Sequence, residues 1–147
     1  MQQYEKTELT HDDKQDQVKR IHFPEGLPGF ESIKDFVLLT NEEEAPFLWL
    51  QSTTIPNLAF ISVDPFLVMS DYRPDIGDED VEFLEIEKEE DVLILSIVNI
   101  SNDPNEGTTA NLVGPIVINW KTKRGKQVIL QNHQEFSVKF RIDQLDQ

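Results

Sequence analysis

Nine of the fourteen residues from 78 to 91 are carboxylates, and Lys88 alone opposes them. Paired carboxylates can do general acid and base chemistry only where distinct environments push their pKa values apart. This run reads differently. Val81, Phe83, Leu84 and Ile86 interleave with the acids, which sets apolar side chains inward and charge toward water. Asp64 is a second candidate, because it stands between Val63 and Pro65 at the end of an apolar run. It could form a carboxylate pair with Asp71 or Glu85, and the plainer expectation is that it caps the turn that follows. His11, His22 and His133 are scattered, whereas metal ligands must converge. No G-x-S-x-G elbow marks a serine nucleophile, and no EF-hand spacing marks a calcium loop. Gly26 and Gly29 lie in a P-E-G-L-P-G run whose prolines remove the N–H groups that a phosphate cradle needs. The chain has no cysteine, which excludes disulfides, thiolate zinc sites and cysteine nucleophiles. These residues favour binding over catalysis, with no cofactor expected.

Charge narrows the partner. Of 147 residues, 28 are acidic and 13 basic, for a formal net charge of −15. Residues 1–91 carry 23 acids against 7 bases, and residues 92–147 carry 5 against 6. So negative a chain repels phosphate backbones, and direct nucleic-acid binding is not expected. It suits a basic protein partner, through steering and rejection of wrong partners. Residues 1–17 are polar and lack the apolar core of a secretory signal. The longest apolar run, residues 92–100, is far short of the ~20 residues of a membrane span. A cytoplasmic protein with no membrane partner is expected.

The elements that must position these residues are strands. Phe136, Val138, Phe140 and Ile142 alternate with polar residues, as in a strand with one wet face. Residues 92–100 are apolar on both alternating sets, which predicts a strand covered on both sides. Residues 116–120 and 127–131 read as a hairpin, with Gly125 supplying the positive φ of its turn. Residues 36–39, 47–51 and 58–63 supply three more strands, and prolines punctuate the gaps. One helix of at most two turns is predicted around residues 78–85, capped by Asp78. Pro24, Gly26, Pro28 and Gly29 build a rigid turn between Phe23 and Phe30, with a glycine at φ > 0. Phe60, Ile94, Ile97, Ile116, Val138 and Phe140 are the expected core. The pattern gives a mainly β fold, a small antiparallel β-barrel with at most two short helices. Residues 18–147 form that single domain behind a polar tail at residues 1–17. The tail and residues 101–109 are the candidate flexible segments.

Taken in order, HFPEGLPGFE, PFLWLQS, LAFISVDP, a loop containing Tyr72, the acidic stretch and NLVGPIVIN resemble the flagellar assembly factor FliW family. The resemblance runs from about Ile21 to Ile142. It implies a small, mostly antiparallel β-barrel without catalysis. It also implies two protein partners: the translational regulator CsrA, a basic RNA-binding dimer, and flagellin. Flagellin in the cytoplasm would occupy the protein and leave CsrA free to repress the flagellin message. Once flagellin is secreted, the freed protein would bind CsrA beside its RNA surface and lift repression. The candidate contact residues are Asp64, Tyr72, Glu85, Glu87, Glu89, Glu90 and Asp91. A dedicated flagellin chaperone without a regulatory role and a small-barrel enzyme using carboxylates are the alternatives.

Overall fold

In the computed structural model, residues 20–143 are described; the expected tail at residues 1–17 lies outside them. Four short strands open the domain as an antiparallel meander: β1 (Arg20–His22), β2 (Asp35–Thr40), β3 (Leu48–Ser52) and β4 (Ala59–Val63). The chain then leaves the sheet through two short helices, α1 (Pro65–Val68) and α2 (Asp78–Phe83). It returns as the long strand β5 (Val92–Ile100). β5 pairs with β4 at Val63↔Ser96 and with β7 (Ile116–Asn119) at Leu93↔Ile118. β8 (Arg124–Gln127) completes a hairpin with β7 and meets β1 in parallel at His22↔Arg124. That contact closes a barrel of seven strands. β6 (Thr108–Ala110) and β9 (Phe140–Arg141) extend from the far end of β5. The expected architecture, a mostly antiparallel barrel with at most two short helices, is the one found, with α1 added to the one helix placed from sequence.

Two cores explain why β5 and β7 are apolar on both faces. Leu95, Ile116 and Ile118 point into the barrel with Ile21, Phe23, Phe36 and Leu50, and Phe60, Leu93 and Ile97 pack against them. On the outer side, Val92, Ile94 and Val117 face Tyr72, Leu84, Leu112 and Leu130, under the excursion of residues 64–91. A strand sandwiched in this way can have no polar set.

Four details correct the sequence reading. Val138, expected in the core, is 55% exposed. The alternation at residues 136–142 is interrupted by a turn, in which Ser137 Oγ accepts from Lys139 N. Only Phe140–Arg141 pairs, so Phe136 packs sideways on Tyr72 while Val138 faces out. The β7–β8 hairpin is tighter than expected, because Lys123 at φ 62 makes the left-handed turn and β8 begins at Arg124. Gly125 is therefore a strand residue. A Cβ there would sit 2.8 Å from the Phe23 ring, so the glycine serves close packing. Gly125→Ala should cost about 1–3 kcal/mol by overpacking, read from urea unfolding. Helix α2 is capped by Gly77 rather than Asp78, which leaves Asp78, Glu79 and Asp80 in the first turn near the positive dipole end. Last, Thr108 and Thr109, which fall in the segment 101–109 expected to be flexible, belong to β6. Asp143 Oδ1 accepts from Thr108 N at 2.6 Å, and Arg141 bridges Asp143 and Asn105 O.

The P-E-G-L-P-G turn has both glycines at positive φ, Gly26 at 67° and Gly29 at 87°. Phe23 is fully buried edge-on against Phe36, and Phe30 meets Phe60 in the same manner. Glu31 accepts from Gly29 N, which holds its carboxyl below the usual range. Pro24 O accepts from Lys34 Nζ, and Pro28 lies at the mouth of the barrel beside Leu27.

Candidate protein-binding face

The excursion of residues 64–91 carries the carboxylates singled out from sequence, and each has a specific local cause. Asp64 ends β4 and caps α1: its Oδ1 accepts from Phe66 N at 2.9 Å, and Pro65 opens the helix. The capping expectation therefore describes Asp64. Tyr72, expected as a contact residue, is instead buried, and its hydroxyl donates to Leu112 O at 2.8 Å. Its ring is flanked by Phe66 and Phe136, and burial pushes its phenol well above the ordinary range. Its task is to fasten the excursion to the barrel. Tyr72→Phe should cost about 1–2 kcal/mol of stability, because the Leu112 carbonyl loses its buried donor. A melting point equal to the parent's would show that water replaces it.

After α2 the chain turns at Leu84, fully buried, and Glu85, which adopts φ 56. Ile86 follows, facing the outer core. Glu89, Glu90 and Asp91 then form a single 3-10 turn that feeds into β5. Asp91 O accepts from Trp120 N at 2.8 Å, so the backbone beneath these carboxylates is anchored to the β7–β8 turn. Glu85, Glu87, Glu89, Glu90 and Asp91 thus form one ridge at the entry to β5.

Sequence distance conceals what the ridge faces. The bases of the near-neutral half gather on the β7–β8 hairpin and fold back onto the acids. Arg124 Nη1 meets Glu85 Oε2 at 3.0 Å, and Lys121 Nζ meets Glu87 Oε1 at 3.5 Å. Lys126 bonds Asp80, and that carboxylate holds its ammonium above the usual pKa. Glu85 is thereby turned toward Arg124 while Asp64 lines a groove, so the two do not form a carboxylate pair. Among the described residues, Glu89 and Glu90 have no ion pair and are exposed. With the half-buried Asp91, which has no ion pair among the described residues either, they are the free charges of the ridge.

One residue that sequence reasoning missed ties this together. Asn119, at the end of β7, is buried, and its Nδ2 donates to Leu84 O at 2.7 Å and Glu85 O at 3.1 Å. Its Oδ1 accepts from Lys121 N at 2.9 Å. One side chain thus joins the acidic turn to the basic one. The signal available was a lone asparagine closing an apolar strand, which reads equally as a turn residue.

Between α1, α2 and β5 runs a groove of about 570 Å³. Ile76, Val81, Ile86 and Ile94 form its apolar wall, with Phe66 at its rim and Asp64 and Glu89 as its carboxylates. Phe66 and Leu67 are exposed on α1. Among the described residues, no group of three or more His, Asp or Glu could hold a metal ion, and no helix is long and apolar enough to cross a membrane.

Barrel and face together define a small β-barrel domain whose outer layer carries a ridge of carboxylates and an apolar groove. The chain belongs to the FliW family, whose model, described as FliW protein, matches residues 3–142. The match begins well upstream of Ile21, where the motif resemblance starts. The chain is 42% identical over 120 residues to the flagellar assembly factor FliW of Leptospira biflexa, covering 80% of this chain and 78% of the relative. It is 46% identical over 112 residues to that of Bacillus licheniformis, covering 76% and 78%. A crystal structure of the flagellar assembly factor FliW superposes with a TM-score of 0.75 at 41% identity, covering 84% of this chain and 85% of that one.

Proposed function

We propose that this protein is a cytoplasmic flagellar assembly factor that binds CsrA and flagellin in mutually exclusive complexes. Binding CsrA relieves repression of the flagellin message, and flagellin, while it remains in the cell, withdraws the factor from CsrA. The observation that carries the reading is the ridge of Glu85, Glu87, Glu89, Glu90 and Asp91, fixed to the barrel by the Asp91–Trp120 and Asn119 bonds. A carboxylate ridge on a rigid frame suits a cationic RNA-binding dimer. Held near that dimer's RNA surface, it raises the cost of bringing in a phosphate. No catalytic step is assigned to it.

The test is competition on a sizing column. The protein should co-elute with CsrA, and added flagellin should release CsrA. If flagellin co-elutes and CsrA does not, the protein is a dedicated flagellin chaperone. A companion prediction isolates the charge. Changing Glu87, Glu89 and Glu90 to lysine should leave the fold intact, because all three are exposed. Association with CsrA at low salt should slow by about tenfold or more, and its salt dependence should flatten. Flagellin binding should weaken less. Equal association rates for variant and parent at low salt would reduce the ridge to a solvated rim.

A further inference from the structure

Among the described residues, no strand pairs with the sheet edge inside the groove. β4 covers β5 only at Ser96 and Ile97, and then the chain leaves the barrel at Asp64. In that register Pro65 would stand opposite Ile94, and proline has no N–H to give. The other edge of β5 belongs to β7, where Trp120 N donates to Asp91 O. Backbone polar groups alternate sides along an antiparallel strand, so Leu93 and Leu95 also face β7. Val92 and Ile94 therefore turn their N–H and C=O groups to the opposite side, where Val92, Leu93 and Ile94 line the groove. The Val92 N–H is spent on closing the preceding 3-10 turn, where it donates to Glu89 O. That leaves the Val92 carbonyl and both backbone groups of Ile94, and among the described residues nothing bonds them.

We propose that the groove receives an extended segment of a protein partner, which adds a strand to β5 along Val92–Ile94. Unpaired edge groups are a template for another chain, and strand addition takes affinity from backbone bonds and specificity from pockets for alternate side chains. The edge offers one donor and two acceptors, enough for a segment of about four or five residues. Its alternate side chains would be apolar, to meet Ile76, Val81 and Ile86. Its ends would be basic, because Asp64 and Glu89 are the groove's two carboxylates. The inference deepens the proposed function by giving that face a backbone contact, and it holds for any protein partner of this chemistry.

Amide hydrogen exchange measured by NMR on the full chain tests it. In the free protein, the Ile94 amide should exchange at least about tenfold faster than those of Leu93 and Leu95. The probe is a short synthetic peptide of alternating valine and threonine between terminal lysines. At millimolar peptide, the Ile94 amide should slow at least about tenfold. An analogue N-methylated at alternate residues should leave it fast. In the Asp64→Asn, Glu89→Gln double variant, whose asparagine side chain keeps the α1 cap, the same peptide should bind several-fold more weakly at an unchanged melting temperature. Equal protection of all three amides in the free protein overturns the proposal, as does absence of protection with peptide or equal binding of the methylated analogue. Equal affinity for the double variant overturns the basic-ended occupant. Because the probe is a synthetic peptide, these failures leave the CsrA reading standing, and failure of CsrA to co-elute leaves the open edge standing.

Discussion

Replacing Gly26 by valine is expected to lower stability by about 3 kcal/mol, a fall of about 10 °C in melting temperature for a domain of this size. Two costs combine at this position. Its φ of 67° lies in the left-handed region, where a β-branched side chain is a steric outlier. A Cβ would also stand 2.6 Å from Glu31 O and 2.7 Å from Glu31 Cα, both backbone atoms that cannot swing away. Gly29 separates the two costs, because it sits at φ 87° with nothing within 4 Å of its Cβ position. Gly29→Ala should therefore cost only the conformational part, about 1 kcal/mol. Urea unfolding of the two variants checks the difference, and equal losses would show that the clash at Glu31 relaxes. The consequence reaches the barrel mouth, because this turn sets Leu27 and Pro28 there and brings Glu25 within 3.8 Å of Lys126.

How far the sequence discloses this molecule depends on which interactions are local. The doubly apolar runs at β5 and β7 are local, and they announce strands with a core on each side. The P-E-G-L-P-G turn is local as well, because two prolines and two glycines leave the backbone few options. Asp64 is legible as a cap, since an aspartate before proline at a strand end has a nearby donor to satisfy. What local pattern cannot show is which surface a segment meets. Tyr72 looks like an exposed loop aromatic until Phe66, Phe136 and the Leu112 carbonyl close around it. Val138 fits a perfect alternation, yet β9 needs only Phe140 and Arg141 to pair with β6. Gly125 sits where a turn glycine belongs, and its real constraint is the Phe23 ring, from the opposite end of the domain's sequence.

Charge shows the same limit. An acidic first part and a near-neutral second part suggest that only Lys88 relieves the acids. In three dimensions the β7–β8 hairpin delivers Lys121, Arg124 and Lys126 to Glu87, Glu85 and Asp80. The Lys121–Glu87 and Arg124–Glu85 pairs are in contact with water and contribute little stability each, typically under about 1 kcal/mol, whereas Lys126–Asp80 is largely enclosed. Their effect is to orient the ridge: Glu85 and Glu87 are held toward the hairpin, while Glu89, Glu90 and Asp91 have no ion pair among the described residues.

Asn119→Ala should produce a loss comparable to that at Gly26, about 3 kcal/mol, and for a different reason. The side chain is 1% exposed, and its amide serves the Leu84 and Glu85 carbonyls while its oxygen serves the Lys121 N–H. Removing it strands these groups in a half-buried seam, and each buried polar group left unpaired costs about 1–3 kcal/mol. The loss is amplified because Glu85, a non-glycine residue at φ 56, keeps that conformation only while its surroundings over-determine it. Freed of Asn119, the turn should relax, and the ridge from Glu85 to Asp91 should lose its fixed line. Two measurements therefore move together: the unfolding midpoint falls, and CsrA association slows even at temperatures where the variant is fully folded. Tyr72→Phe serves as the comparison, since it weakens the same excursion without touching the ridge. If Asn119→Ala unfolds with the parent's midpoint, water satisfies the seam and the clamp is not what holds the ridge. If it unfolds early but the folded fraction associates with CsrA at the parent's rate, Asn119 supports the fold alone and the ridge is positioned by the Asp91–Trp120 bond.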